Sequence, residues 1–323
     1  MDELNQSCAK YIRHRALRLS LTALVLLLAS SLVSGCTRLF FFPMQQHVAL
    51  PSNYGVDYQD VYLRAADGTR LHAWLLEPEG QPVGTIYFLH GNAENISTHF
   101  LATVWLIKQG YEVFALDYRG YGLSQGRPDL PEVFDDIEAG ANWLISRAKL
   151  AHSAERRKSA SSAGMIAVSS DGAKPRPLYF YGQSLGASLA ITFAQRSSIV
   201  TQHFNGIVAE AAFARYDSIA KHIASKHWLT WSAQYPAKWL IRRQYDPLDA
   251  ISQLALPKLI IHSQDDQIIP YRFGKALFDA AATPKEWISA SGAHIRAAAD
   301  ESVRRSILDF MQRFADPETL PTR

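Results

Sequence analysis

Leu178-Tyr179-Phe180-Tyr181-Gly182-Gln183-Ser184-Leu185-Gly186 is the stretch on which the reading of this 323-residue chain turns. Residues 178–181 are a short apolar run, and residues 185–196 follow with helical spacing, so a Gly-x-Ser-x-Gly string falls between a buried strand and an apolar helix. A serine at such a junction is expected in a tight, strained turn. Gly182 and Gly186 leave room for close backbone approach, and the hydroxyl points into a cleft. The pentapeptide alone is common; its strand and helix context makes Ser184 a candidate nucleophile.

Working outward, residues 85–89 form a near-continuous apolar run without period-two alternation, the mark of a strand buried on both faces. Residues 113–116, 206–209 and 259–261 read the same way, and residues 287–288 give a last short strand. Helical patterns lie between them at about 97–109, 133–149 and 271–281, and residues 301–314 close the chain with Val303, Ile307, Leu308, Met311 and Phe314 on one apolar side. Strands alternating with helices predict an α/β protein with a mostly parallel sheet and helices on both faces. Residues 56–63 alternate, and an Asp67-Gly68 turn separates them from residues 70–76; this pair adds antiparallel strands at one edge, for eight in all.

Two regions break the rhythm. Residues 151–174 are rich in Ser, Ala, Lys and Arg with few large apolar groups, and are expected to form a mobile inserted loop, solvated at Arg156, Arg157 and Lys158 or touching an anionic membrane surface. Residues 212–250 carry Trp228, Trp231, Tyr235, Trp239 and Tyr245 at irregular helical spacing. They are expected either to cap the C-terminal ends of the sheet and shape an apolar pocket or to pack on the main core.

The N-terminus reads as an export signal over residues 1–35. Basic residues ending at Arg18 precede a charge-free apolar run, residues 19–32, which is shorter than the roughly 20 residues a membrane span needs. The run ends in Leu32-Val33-Ser34-Gly35-Cys36, which resembles the lipobox of bacterial lipoproteins, where small residues precede a cysteine that takes the lipid and becomes the first mature residue. Several acyl chains on Cys36 would give stable anchoring where one would be marginal; an uncleaved signal anchor is the alternative. Thr37 after the cysteine leans, by analogy with lipoprotein sorting, towards an outer membrane facing the periplasm. The other cysteine, Cys8, lies in the segment to be removed, so no disulfide or cysteine metal site is expected in the mature chain. Residues 36–55 then form a tether, 56–315 the main domain and 316–323 a tail.

Composition narrows the functional classes. With 48% hydrophobic and 20% charged residues, bulk disorder is excluded. The net charge of +3 comes largely from the signal; without residues 1–35 the balance is 29 basic against 28 acidic, and nothing suggests a nucleic-acid partner.

A serine hydroxyl needs a base and an orienting acid. Downstream, residues 259–261 open into His262-Ser263-Gln264-Asp265-Asp266-Gln267-Ile268-Ile269-Pro270, with two adjacent carboxylates, and Ser291-Gly292-Ala293-His294 follows the last strand. The order serine, acid, histidine differs from that of chymotrypsin-like and subtilisin-like enzymes. On these strings, together with His90-Gly91-Asn92-Ala93 and Asp117-Tyr118-Arg119-Gly120-Tyr121-Gly122-Leu123-Ser124, the chain resembles the α/β-hydrolase superfamily, in the serine-hydrolase group of Bem46-like and serine-aminopeptidase-like proteins. The resemblance covers residues 56–315 apart from the insertion and implies an α/β-hydrolase fold, to which the aromatic residues of 212–250 are expected to add a small helical cap.

It further implies that Ser184 is the nucleophile, His294 the base and Asp266 the acid, since Asp266 takes the acid's place in the family's His-Gly-x-x-Asp string; Asp265 is the competing candidate. The backbone N–H groups of Asn92 and Leu185 are the implied oxyanion donors. Ala187 and Ser263 stand where the family often has glycine, which trims space near the site. His90 and His262 at strand ends are expected to bond loop backbone rather than a metal, and no His-Glu-x-x-His spacing occurs. The expected activity is hydrolysis of carboxylic esters, or thioesters, on small acyl substrates, without metal or organic cofactor. A peptidase of the same fold and a non-enzymatic lipoprotein that binds through the scaffold are the alternatives, and haloalkane or epoxide chemistry is disfavoured because those enzymes use an acid nucleophile.

Overall fold

Strands that are apolar on both sides must be covered on both sides, and the computed structural model, which describes residues 40–162, 176–225 and 243–316, supplies that cover. The eight strands are β1 (Asp57–Arg64), β2 (Arg70–Glu77), β3 (Gly84–Leu89), β4 (Tyr111–Asp117), β5 (Leu178–Gln183), β6 (Gly206–Glu210), β7 (Lys258–Ser263) and β8 (Lys285–Ala290). They form one sheet in the order β1-β2-β4-β3-β5-β6-β7-β8. β2 runs antiparallel to both β1 and β4, and every other pairing is parallel. This is the α/β-hydrolase arrangement expected from the sequence.

The helices are α1 (Ile96–His99), α2 (Val104–Lys108), α3 (Glu132–Ser162), α4 (Leu185–Arg196), α5 (Ser198–His203), α6 (Tyr216–Ser225), α7 (Pro247–Ile251), α8 (Tyr271–Ala280) and α9 (Glu301–Arg313). Successive strand residues alternate between two cores. Tyr87, Phe114, Phe180 and Ile260 meet α3, α4, α7 and α8 on one face. Ile86, Val113, Tyr181 and Ile261 meet α2 and α9 on the other, through Leu106, Val303, Ile307 and Phe310. Each buried side chain of this size stabilises by about 1.5–3 kcal/mol relative to exposure. The edge strands β1 and β8 are the least buried.

Two stretches differ from expectation, and a third settles on one of its two alternatives. The helix predicted over 97–109 breaks into α1, a 3-10 turn at Phe100–Ala102 and α2; the Thr103 hydroxyl donates back to the Phe100 carbonyl at 2.7 Å, a local bond that competes with a continuous helix. Residues 151–162, expected as loop, continue α3 to Ser162. Their Ala, Lys and Arg content has high helix propensity, which suffices to extend a helix already nucleated on the core. Tyr245 packs into the main core, 5.5 Å from the Phe134 ring and beneath the Arg196 guanidinium. The expected signal, Cys36, residues 163–174 of the insertion, the aromatic residues Trp228 to Trp239 and most of the tail lie outside the described residues.

The loop after β4 is fixed by a buried ion pair. Arg119 grips Asp136 of α3 through Nε and Nη2 at 2.7–3.0 Å, its backbone N–H donates to the same carboxylate, and Nη1 reaches the more exposed Asp67 at 2.9 Å. Removing one partner strands the other charge away from water. Asp136→Ala is therefore expected to lower the free energy of unfolding in urea by about 3 kcal/mol; a loss below about 1 kcal/mol would show that Asp67 alone satisfies the guanidinium.

Candidate active site

The C-terminal ends of β3, β5, β6, β7 and β8 bring the singled-out residues to one edge of the sheet. Ser184 stands between β5 and α4 with φ 54° and ψ −115°, a backbone conformation few side-chain-bearing residues adopt. The two flanking glycines make the turn possible. A Cβ on Gly186 would lie 2.0 Å from the Leu89 carbonyl oxygen, and one on Gly182 would lie 2.5 Å from Ala187 Cα. The Ser184 N–H donates to the Glu210 carbonyl at 2.8 Å, which ties the turn to β6.

His294 and Asp266 meet directly: Nδ1 lies 2.7 Å from Oδ2. The other oxygen of Asp266 accepts the backbone N–H groups of Ile268 and Ile269, both at 2.8 Å. Burial alone would raise this carboxyl; the hydrogen bond and charge of His294, with the two N–H donors, outweigh it and hold Asp266 below its ordinary value. Asp265 points elsewhere and accepts the Gly292 N–H at 3.0 Å. The two adjacent carboxylates thus divide, one against the imidazole and one against the backbone that carries it.

The loop of His294 is fastened along its length. Ser263 Oγ donates to the Gly292 carbonyl at 2.5 Å, Gln183 Nε2 to the Ile295 carbonyl at 3.4 Å, and the Ala297 N–H reaches Glu210 Oε1 at 2.8 Å. Ile295, with φ 53°, turns the chain there. Because Gln183 precedes Ser184 and Ile295 follows His294, serine and imidazole are carried on two segments that bond to each other. Ser263, where a glycine was the family's usual choice, supplies a hydroxyl to this fastening. Glu210 is the member that sequence reasoning missed: fully buried, it accepts from Tyr181 OH, Gln183 Nε2 and Ala297 N. A glutamate closing an otherwise apolar strand was the available signal.

Asn92 occupies the loop after β3. Its Oδ1 accepts from Tyr121 OH at 2.8 Å and from the Phe42 N–H at 2.9 Å, and its Nδ2 donates to the Phe40 carbonyl at 2.5 Å. Leu185 begins α4, so its N–H has no intrahelical acceptor. His90 and His262 bond loop backbone, as expected: His90 Nδ1 lies 2.7 Å from the Gly91 oxygen and His262 Nε2 2.8 Å from that of Ile269. Burial lowers the pKa of both rings. His99, between the His90 ring and Gly91, is pushed down to about 3 by burial and then by the charge His90 would carry.

Comparison with known proteins agrees with this fold. The family described as "Serine aminopeptidase, S33" matches residues 80–252, more than half of the chain. The uncharacterized protein YfhR of Escherichia coli (strain K12) is 26% identical over 277 residues, 82% of this chain and 85% of that protein. The lysophosphatidylserine lipase ABHD12 of Danio rerio is 24% identical over 267 residues, 73% of this chain and 62% of that protein. Among solved structures, the Pyrococcus furiosus esterase Pf2001 superposes with a TM-score of 0.64 at 17% identity, covering 85% of this chain and all of that one, a likeness of fold. With its elbow serine, its strand order and this match, the chain belongs to the serine aminopeptidase S33 family of α/β-hydrolases.

Proposed function

We propose that the protein cleaves carboxylic esters of small acyl substrates, with thioesters as a close variant, through an acyl-enzyme on Ser184. The observation that carries this reading is the His294–Asp266 hydrogen bond, on a loop that Gln183 of the elbow bonds at Ile295. An ionised Asp266 accepts the proton on His294 Nδ1, which leaves Nε2 as the lone-pair nitrogen. That nitrogen takes the Ser184 proton as Oγ attacks the carbonyl carbon. The N–H groups of Asn92 and Leu185 would hold the developing oxyanion, and each donor of this kind contributes about 2.7–4 kcal/mol. His294 then returns the proton to the leaving alcohol or thiol, and a water activated by the same ring releases the acid. The names of the ABHD12 lipase and the Pf2001 esterase favour an ester bond over an amide. The lipobox-like string at Cys36 supports export and lipid anchoring in a bacterial envelope, with Thr37 favouring the outer membrane.

A fluorophosphonate probe should label the wild-type chain and not Ser184→Ala. In a panel of p-nitrophenyl esters, acyl thioesters and anilides, esters should turn over fastest, and His294→Ala and Asp266→Asn should each lower kcat by at least about 10³-fold. Asp265→Asn should keep most activity. Retention in the Asp266 variant with loss in the Asp265 variant would reverse the acid assignment, and labelling of Ser184→Ala would remove the nucleophile.

The neutral imidazoles set an acid limit on the fold around this site. His99 has a folded pKa of about 3 against 6.5 unperturbed. Between those values the unfolded chain binds a proton that the folded chain refuses, so stability falls as pH drops below about 6.5. Thermal unfolding midpoints recorded between pH 7 and 4 should decline, and His99→Gln should decline less steeply. An unchanged slope in that variant would place the acid sensitivity elsewhere.

A further inference from the structure

We propose that His47, His72 and Asp117 form a binding site for a zinc-like divalent transition-metal ion, which pins the segment preceding β1 to the sheet. The three come from separate places. Asp117 ends β4, His72 lies opposite it on β2, and His47 hangs on the chain crossing that edge without helix or strand. Their ligand atoms all lie within 4.8 Å of one another.

The decisive atom is His72 Nδ1. The ring is fully buried, and its Nε2 lies 2.8 Å from Asp60 Oδ1. A carboxylate only accepts, so the proton of a neutral His72 sits on Nε2 and the lone pair on Nδ1. That nitrogen has no hydrogen-bond partner and faces Asp117 Oδ2 at 3.8 Å, too long for a hydrogen bond. Two lone pairs therefore confront each other in a dry interior, where an unpaired polar group is costly. A cation between them removes the conflict, and Asp60 behind His72 then makes the carboxylate–histidine–metal arrangement common at such centres.

The remaining geometry agrees. Asp117 is wholly buried; its Oδ1 accepts the Ile96 N–H at 2.9 Å with His90 Nε2 beyond at 3.5 Å, while Oδ2 faces the two proposed ligands, His47 Nε2 at 3.1 Å and His72 Nδ1. Donor atoms around a tetrahedral zinc stand roughly 3.3 Å apart, given bonds of about 2.0–2.1 Å, and the 3.1 and 3.8 Å separations bracket that value. The two imidazole nitrogens stand within 4.8 Å, and rotation of the His47 side chain on its held backbone would close the gap. Two imidazoles and a carboxylate suit zinc, cobalt or nickel rather than magnesium or calcium, with water as fourth ligand on the side of His47, whose side chain is 13% exposed. Gly122 is pressed against the cluster, since a Cβ there would stand 1.9 Å from Asp117 Oδ2 and 2.6 Å from His47 Nε2. The same segment bonds Asn92 through Phe40 and Phe42, so an ion here would steady the loop proposed to hold the oxyanion.

The full chain, purified in detergent and stripped with a chelator, should take up one equivalent of Co²⁺ with the visible absorption of a tetrahedral site, displaced by Zn²⁺. Zn²⁺ should raise the thermal unfolding midpoint. His47→Ala, at a position outside helix and strand, should keep the wild-type far-UV circular dichroism and weaken metal affinity by more than about 100-fold; Asp60→Asn, an outer partner, should weaken it by about 10–100-fold. Absence of a saturable Co²⁺ spectrum, or uptake indifferent to His47→Ala, would overturn the proposal.

Discussion

The turn at Ser184 is the constraint around which the molecule is arranged. β5 lies at the centre of the sheet, between β3 and β6, and must leave it within one residue to enter α4. That demand forces Ser184 to φ 54°, a conformation costing about 1–3 kcal/mol that persists only where the surroundings over-determine it. Here they do. Leu89 at the end of β3 leaves space only for a hydrogen at Gly186, Ala187 does the same at Gly182, and the Glu210 carbonyl holds the Ser184 N–H. The strain is thus carried by three neighbouring strands and the helix, with no reliance on a surface loop.

From that fixed turn, one buried carboxylate sets the position of the loop opposite. Glu210 uses its backbone for the serine and its side chain for Tyr181, Gln183 and the Ala297 N–H just beyond His294. A buried acid with several donors is a satisfied group, and a satisfied network in a dry interior is stiff. Burial, and after it the charge of Glu210, raises the Tyr181 phenol, which stays a donor. Ser263 and Asp265 fasten the same loop from β7. Serine and imidazole are therefore placed by rigid strand ends, which is what pre-organised chemistry needs.

How much of this could be read from the chain follows from the range of each interaction. Both-face burial writes itself into contiguous apolar runs, so the strands at 85–89, 113–116, 178–181, 206–209 and 259–261 were legible, as were the antiparallel edge pair and α4 with its glycines. The Asp266 and His294 strings were legible because a short pattern carries each one. Contacts between distant segments leave no such local trace: nothing near residue 210 announces a partner at 297, and nothing near 263 a carbonyl at 292. The extension of α3 was missed for a different reason. Residues 151–162 lack the apolar stripe on which helix reading rests, yet propensity carries a helix onward once its first turns are anchored on the core.

The segment from Phe40 to Val48 brings these strands of argument together. It runs across the outside of the site and is bonded repeatedly: at Asn92 through Phe40 and Phe42, at Asn95 through Met44 and Gln46, at Ser97 through Val48, and at Asp117 through His47. A stretch without helix or strand gains no order from its own ladder, so this density of side-chain bonds to one loop fixes its path. Under the proposed anchoring, the lipid on Cys36 lies only four residues before Phe40. At the roughly 3.3–3.6 Å per residue of an extended chain, any pull from the bilayer would reach Asn92 almost at once. The hydrogen bonds to Asn95, Asp117 and Ser97 follow those to Asn92 along the chain and hold the segment's far end, so the path beside Asn92 does not rest on Phe40 and Phe42 alone.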